Sequence, residues 1–407
     1  MLKEERLAVA IFAQYYPPDL GGSATRAYNV AKGLALNGCD VTVIAAFPHY
    51  PNGDVPEKYR WKPVVVENDD GVRVIRTFIL PLKSEGFLKR LLLMGSFGVS
   101  ALLASVFVRN VKVVWASSWA PAAVFGKASG KPVVLNVDDI TLTDITDLNL
   151  IDENSIILQI AKIVYGFFYK LGDAITPISP GYIDVISRRY GISRNRFHVV
   201  LAGVDLSTFN VKPRKNNGSG KFIVLYSGAL SIAYDFDQVI SAAKTLLKEA
   251  PDVEFVLQGD GEYAESIKRG LEKEGLKNII FINKIVSRAE VAELLNGADA
   301  LLLPMRSFDR PYLGLSTKLY EYQAVGKPII CCSNGIPETY VRDTKSGIVV
   351  EPGNYKSLAD SIIYLRGNRD VANELGENGR QYVEKNVSLE KIGLEMKTLL
   401  EASLNTT

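Results

Sequence analysis

The chain of 407 residues has only three cysteines, and two of them, Cys331 and Cys332, are adjacent in an apolar run. Such usage rules out a disulfide framework and suits a reducing compartment, with the thiols acting as small buried hydrophobes. A charge imbalance is also missing: 47 Lys and Arg against 45 Asp and Glu leave a formal net charge of +2, so no basic stripe marks a nucleic-acid partner. Neither a disorder-type nor a collagen-like bias is present. With 47% hydrophobic and 23% charged residues the composition is that of an ordinary globular protein, and the length suits two domains. No secretory leader is expected, because Met1 to Arg6 is charged and the apolar run Leu7 to Ala13 is too short, so the expected location is the cytoplasm. Gly-x-Gly-x-x-Gly is absent after the first apolar run and no acidic residue closes the second, Val43 to Ala46. That excludes a nicotinamide dinucleotide fingerprint.

What is present is an alternation of short apolar runs with helical patterns: Leu7 to Ala13, Val41 to Ala46, Val111 to Trp115 and Pro132 to Val137, then Phe222 to Tyr226, Val253 to Gln258, Ile279 to Ile282 and Ala300 to Leu303. Alternation of this kind predicts an α/β fold with parallel sheets wrapped by helices. The polar, Gly- and Asn-rich stretch Lys212 to Lys221 interrupts it near the middle. The expected organisation is therefore a doubly wound domain over 1–205, a linker over 206–220, a second doubly wound domain over 221–387, and a final helix in 388–407 that packs back on the first domain. A cleft between the two domains is expected. Ser287-Arg288-Ala289-Glu290 is a capping box that opens a helix of the second domain.

Ser316-Thr317-Lys318-Leu319-Tyr320-Glu321-Tyr322 opens a helix directly after the strand Leu301 to Pro304 and leads, through Gly326-Lys327-Pro328, into the apolar run Ile329 to Cys332. Backbone N–H groups and the dipole of a first helical turn favour an anion there, and Lys318 adds a cation. Glu321, further in, suits two vicinal ribose hydroxyls. Phosphate at the mouth and ribose behind it describe a nucleotide. A second candidate is Tyr15 to Ser23, where Gly21-Gly22 permits close approach ahead of the helix Ala24 to Leu36. Gly259-Asp260-Gly261 reads as a structural strand-to-helix turn, and His198 as structural.

The uncharged run Leu91 to Val108, flanked by Lys89-Arg90 and Arg109, is near the lower limit of the roughly 20 residues that a membrane span needs. Three readings stand: a helix buried on the sheet, a helix resting on a membrane surface with its basic flanks on anionic headgroups, and a span.

The chain resembles the retaining glycosyltransferases of the GT-B type in family 4. The resemblance rests on Gly21-Gly22, Gly203-Val204-Asp205-Leu206 with Phe209, Gly259-Asp260-Gly261, Glu321 with Ala324 and Gly326-Lys327-Pro328, Asn334 to Glu338, Gly347 to Val350 and Pro352-Gly353. The loop Phe47-Pro48-His49-Tyr50-Pro51-Asn52-Gly53 and the helix start at Ser316 make it most similar to the branch that builds surface glycans on polyprenyl diphosphate carriers, which includes N-acetylfucosamine transferases. The resemblance implies a nucleoside diphosphate sugar donor, with uridine as the base, and a lipid-linked or glycan acceptor. It also implies a peripheral position on the inner face of the cell membrane, no cofactor and no metal.

Carried onto this sequence, the donor nucleotide would meet Gly21, Gly22, Gly228, Ser316, Thr317, Lys318, Leu319 and Glu321. Two departures from the family pattern matter. The first glutamate of its Glu-x7-Glu motif falls at Leu313, and the Gly-Arg…Lys pair that neutralises the diphosphate is replaced by Ala229 and by Tyr234 or Asp235. Lys318 is the substitute cation, with Arg306 and Arg310 as second choices and His49 as a further contact to either sugar. Asn136-Val137-Asp138-Asp139 stands where relatives carry a histidine, so Asp138 or Asp139 would orient a sugar while the leaving phosphate takes the acceptor proton. Two alternatives belong to other classes: a sugar nucleotide epimerase or phosphorylase, for which no cofactor lysine or paired carboxylates are evident, and a nucleotide-sugar-binding subunit without turnover, motivated by Leu313 and Ala229.

Overall fold

The computed structural model describes residues 6–50, 52–83, 87–140, 155–212, 220–308 and 310–405. The chain forms two compact units, Met1–Gly203 with Leu389–Thr407, and Val204–Ser388. Among the described residues, the N-terminal unit contains β1 (Ala8–Ala13), β2 (Asp40–Ala46), β3 (Val64–Asp69), β4 (Val72–Thr77), β5 (Val113–Ala116), β6 (Val133–Val137) and β7 (Ala174–Pro177). Their order in one sheet is β3-β4-β2-β1-β5-β6-β7. Every residue of β1 and β5 is buried, as central parallel strands covered on both faces require. Strand order reverses between β1 and β5, so the loops that follow them diverge at the carboxyl edge of the sheet.

The edge hairpin β3-β4 was not anticipated. It is antiparallel, with Asp69 opposite Val72, and its two-residue turn puts Asp70 and Gly71 at positive φ (45° and 89°). An Asp-Gly pair is the usual short-hairpin signal, and β3 alternates between part-buried and exposed instead of forming an apolar run. β7, Ala-Ile-Thr-Pro over 4 residues, contains a threonine and a proline and does not read as an apolar run.

The helices of this unit are α1 (Gly22–Leu36), α2 (Phe87–Ala104), α3 (Trp119–Ser129), α4 (Ile156–Leu171) and α5 (Gly181–Tyr190). The apolar run read from sequence is α2 followed by a short 3-10 turn over Ser105–Phe107. Leu93, Phe97, Ala101 and Ala104, spaced by three and four residues, bury one α2 face in the core with Phe12, Ile44 and Ile75.

The C-terminal unit has β8 (Phe222–Ser227), β9 (Val253–Gly259), β10 (Ile279–Asn283), β11 (Ala300–Pro304), β12 (Ile329–Cys332) and β13 (Gly347–Val350), in the order β10-β9-β8-β11-β12-β13, all parallel. Its helices are α6 (Phe236–Glu249), α7 (Ala264–Glu274), α8 (Arg288–Gly297), α9 (Thr317–Ala324), α10 (Ile336–Asp343), α11 (Tyr355–Gly367) and α12 (Arg369–Asn386). The capping box at Ser287 and Glu290 is formed. Cys331 and Cys332 are free and buried in β12, where burial pushes the Cys331 thiol up to about 12 and makes it an inert packing group.

Residues 206–212 of the expected linker belong to this unit. Phe209 is buried, the Asp205 carboxylate accepts from the Ser207 N–H at 2.9 Å, and the Lys212 N–H donates to Asn296 Oδ1 at 2.8 Å. Residues 213–219 lie outside the described residues.

After Ser388 the chain returns to the N-terminal unit as α13 (Leu389–Leu404), which packs along α1. The two helices touch backbone to backbone: a methyl on Gly33 would stand 2.9 Å from the Gly393 Cα, and one on Gly393 would overlap the Gly33 carbonyl. Ile392, Met396 and Leu400 fill the interface. Gly393→Val should therefore separate the pair and cost about 1–3 kcal/mol, read as a lowered urea midpoint; an unchanged midpoint would mean that the crossing carries no packing constraint.

Candidate functional site

In the C-terminal unit β8 and β11 are neighbours although two strands separate them in the chain, so the strand order reverses there and a crevice opens at their carboxyl ends. The loop after β11 delivers α9 to that edge. Ser316 is its N-cap; the hydroxyl accepts from the Lys318 N–H at 3.4 Å, and the Leu319 N–H donates to the Ser316 carbonyl at 3.1 Å. Leu319 thus has no N–H to offer a ligand, and its side chain is buried, so its role is packing. Thr317 and Lys318 keep part-exposed side chains at the mouth.

Lys318 crosses the loop after β8. Its Nζ donates to the Tyr234 hydroxyl at 3.1 Å and lies 5.1 Å from the Tyr234 ring centre and 5.7 Å from that of Tyr226. Such aromatic faces hold a cation by their quadrupole. This path exists because residue 228 is glycine: its φ is +144°, and a methyl there would overlap Lys318 Cε and leave 2.6 Å to Nζ. The Gly228 N–H is itself used, donating to the Gln258 carbonyl at 3.0 Å. Tyr234, which with Asp235 stands near where the resemblance would put a lysine, holds with its hydroxyl the cation that comes from α9 instead. No local sequence signal could reveal that contact between residues 84 apart.

Arg306 donates to the Tyr234 carbonyl at 3.4 Å and lies 5.3 Å over the Tyr263 ring; its Nε is buried without a hydrogen-bond partner among the described residues. Arg310 is exposed in the loop before α9. Glu321 lies deeper, and its Oε1 pairs with Arg288 at 3.2 Å. Arg288 in turn lies 4.9 Å over the Phe209 ring. The carboxylate expected to meet a ribose is therefore already oriented by a guanidinium, a partner that the sequence reading had assigned only to a capping box.

The N-terminal unit gathers its own candidates at the β1/β5 reversal. Gly21 is the N-cap of α1, Gly22 is its first residue, and the Ser23 side chain hydrogen-bonds to Asp138 after β6. Asp138 also accepts from Asn136 Nδ2 at 2.7 Å and from Ser117 Oγ, after β5, at 3.4 Å. Behind this cluster lies Arg26, fully buried on α1. It donates from Nε to Asn136 Oδ1 at 3.2 Å and from its terminal nitrogens to the Val200 and Leu201 carbonyls. Burial raises the Asp138 carboxyl above its ordinary value, against the opposing pull of Arg26, Asn136, Ser23 and Ser117. Asp139 is exposed.

Two loops singled out separately in the sequence are joined here. Asp19, in the glycine loop, accepts the His49 and Tyr50 N–H groups at 2.8 and 2.9 Å. The His49 ring stacks on Tyr15 at 5.3 Å, and its Nδ1 donates to the Phe47 carbonyl at 2.9 Å. The His49 Nε2 is buried without a protein partner among the described residues, and burial raises the Asp19 carboxyl. His198 is exposed, and partial desolvation lowers its imidazole.

The family model described as Glycosyltransferase Family 4 matches residues 20–208, and the one described as Glycosyl transferases group 1 matches residues 208–382. The chain is a group 1, family 4-like glycosyltransferase. This glycosyltransferase is 26% identical over 400 residues to the putative colanic acid biosynthesis glycosyl transferase WcaI of Escherichia coli K12, covering 91% of this chain and 96% of the relative. Over 164 residues it is 29% identical to the 2-deoxystreptamine N-acetyl-D-glucosaminyltransferase of Niallia circulans, 40% of this chain and 41% of that one. Among solved structures it superposes on sucrose-phosphate synthase from Thermosynechococcus elongatus with a TM-score of 0.78 at 18% identity, over 99% of this chain and 100% of that chain. Anabaena HepE in complex with UDP gives 0.69 at 16% identity, over 97% and 100%. The fold is GT-B, with two Rossmann-like units.

Two outcomes follow from this geometry. Gly228→Ala should push Lys318 off the Tyr234 hydroxyl and weaken nucleoside diphosphate binding about as much as Lys318→Ala does, roughly 1.5–3 kcal/mol; calorimetry showing full affinity in either variant would remove Lys318 from the site. For Asp138, the folded state holds its proton to a higher pH than the unfolded chain. Its effect on stability is therefore a loss as pH rises from about 4 through the raised folded value. Asp138→Asn should abolish that loss, leaving stability at pH 7 equal or higher while transfer falls; thermal melts across pH with parallel activity assays read both.

Proposed function

We propose that this glycosyltransferase moves a sugar from a nucleoside diphosphate sugar, with uridine as the base, to a lipid-linked or glycan acceptor in surface polysaccharide or glycoprotein glycan synthesis, with retention at the anomeric carbon. The transferred residue is an N-acetylated amino sugar. The observation that carries the reading is the Lys318 ammonium, held beside Gly228 at the open mouth of α9 with the Glu321 carboxylate further in. An anion-binding helix start with an adjacent cation suits a diphosphate, and the carboxylate behind suits the ribose diol. Further support comes from the relatives named above, one assigned to colanic acid synthesis and one to N-acetylglucosaminyl transfer, and from HepE, solved with UDP.

In this transfer the bond between the anomeric carbon and the leaving phosphate oxygen breaks, and the acceptor oxygen bonds to that carbon on the same face. The acceptor proton passes to the leaving phosphate. Negative charge grows on the diphosphate, so the donors that matter are Lys318 and the first-turn N–H of Thr317, preorganised before the charge appears. Asp138, tethered by Asn136, Ser117 and Ser23, orients an acceptor sugar through its carboxyl oxygens. Metal is not required by this account.

Incubation with a panel of nucleotide sugars and a short polyprenyl diphosphate sugar, followed by product mass and anomeric coupling constants, tests donor, acceptor and stereochemistry together. Retained nucleotide binding with no product across the panel would overturn transfer and favour a binding subunit. Glu321→Ala should weaken nucleoside diphosphate affinity by about 2–3 kcal/mol, roughly 30- to 150-fold; an unchanged calorimetric Kd would sink the ribose role.

A further inference from the structure

Phe209 and Arg288 touch none of the groups that react, yet both converge on Glu321. Phe209 is fully buried, and its carbonyl accepts from Arg380 Nη1, on α12, at 3.1 Å. The same Arg380 nitrogen donates to the carbonyl of Ala324, the last residue of α9. One guanidinium thus pins both the Phe209 backbone and the helix that carries Glu321. From the other side comes α8, whose first residue is Arg288. Its start is fixed by the capping box, in which the Ser287 N–H donates to Glu290 Oε2 at 2.8 Å, so the nearby Glu290 carboxylate is committed to the cap. The Arg288 guanidinium lies 4.9 Å over the Phe209 ring and reaches Glu321 Oε1 at 3.2 Å.

Burial separates this pair from an ordinary surface ion pair. The Glu321 side chain is 13% exposed and that of Arg288 28%, so neither sweeps freely through solvent. A guanidinium on an aromatic face is held by the ring quadrupole and presents a rigid fork, which an ammonium does not. A glutamate left loose at a site must be ordered when its ligand arrives, and that ordering weakens binding. A carboxylate offers about four acceptor positions, and the contact to Oε1 takes one of them. Capacity for two vicinal hydroxyls remains.

We propose that Arg288, seated on Phe209, is a positioning residue that makes this site select ribose over deoxyribose. It holds the Glu321 carboxylate in place before the nucleotide arrives, so that the diol meets an acceptor already ordered. The proposal rests on the ribose role given to Glu321 above. Its own content is that the selectivity is set by a residue that does not touch the sugar.

Two ligand pairs are titrated calorimetrically against the full chain: uridine diphosphate with its 2′,3′-dideoxy form, and guanosine diphosphate with its own. The base that binds more tightly supplies the comparison, read as the ratio of dissociation constants between dideoxy and ribose forms. Wild type should favour the ribose form by about tenfold or more, and Glu321→Ala should bring the ratio close to one. Arg288→Met keeps an apolar stem over Phe209 and removes the guanidinium. It should lower the wild-type ratio by about threefold or more while binding the dideoxy form as wild type does. Arg288→Lys, which keeps a cation beside Glu321, serves if the methionine variant fails to fold and should lower the ratio in the same direction. A wild-type ratio in either folded variant would overturn the proposal, including the case in which both ligands weaken equally and Arg288 is structural only. A wild-type ratio near one, or an unchanged ratio in Glu321→Ala, would remove the ribose from Glu321 and overturn both readings. Failure of positioning alone shows only in the Arg288 variants, so the two failures are distinguishable.

Discussion

The adjacency of β8 and β11 is the constraint on which the crevice at α9 depends. Two parallel strands that are neighbours in the sheet but distant in the chain must send their following loops in opposite directions, and the gap between those loops admits a helix mouth. α9 starts there, and Lys318 reaches across because Gly228 has no side chain to obstruct it. Tyr226 and Tyr234 then hold the ammonium on their ring faces and on one hydroxyl. A substituent at 228 or a different strand order would leave the same lysine as an ordinary exposed cation.

The N-terminal unit depends on a comparable hub, a fully buried arginine. The desolvation of the Arg26 charge is offset in part by hydrogen bonds to two backbone carbonyls and the Asn136 amide oxygen. Asn136 passes that order on to Asp138, while Asn29, next along α1, ties down the Ala202 and Gly203 carbonyls. One helix therefore positions both the carboxylate at the sheet edge and the segment at which the chain leaves the unit. The raised Asp138 carboxyl is a cost to folding.

Much of this was legible residue by residue. Apolar runs located β1, β2, β5, β6 and β8 to β12, because a parallel strand covered on both faces reads as a nearly continuous apolar run. The capping box at Ser287 was readable because its partners are three residues apart. The β3-β4 hairpin escaped because an edge strand needs only one buried face, although Asp70-Gly71 marked its turn. α2 left three readings open because periodicity cannot say which neighbour covers an apolar face; the structure buries one face and exposes the other.

By itself, the sequence determined the fold class, the helix start at Ser316 and the capping box at Ser287, since these follow from local pattern and chemistry within a few residues. Only the tertiary structure decided how the groups of the candidate sites are held. Lys318 on Tyr234, Arg288 on Glu321, Asp19 under His49 and Arg26 behind Asp138 are all contacts between distant segments. They exist because sheet order and glycine-permitted approach bring those segments within hydrogen-bond reach, and neither condition is written in any single stretch of chain.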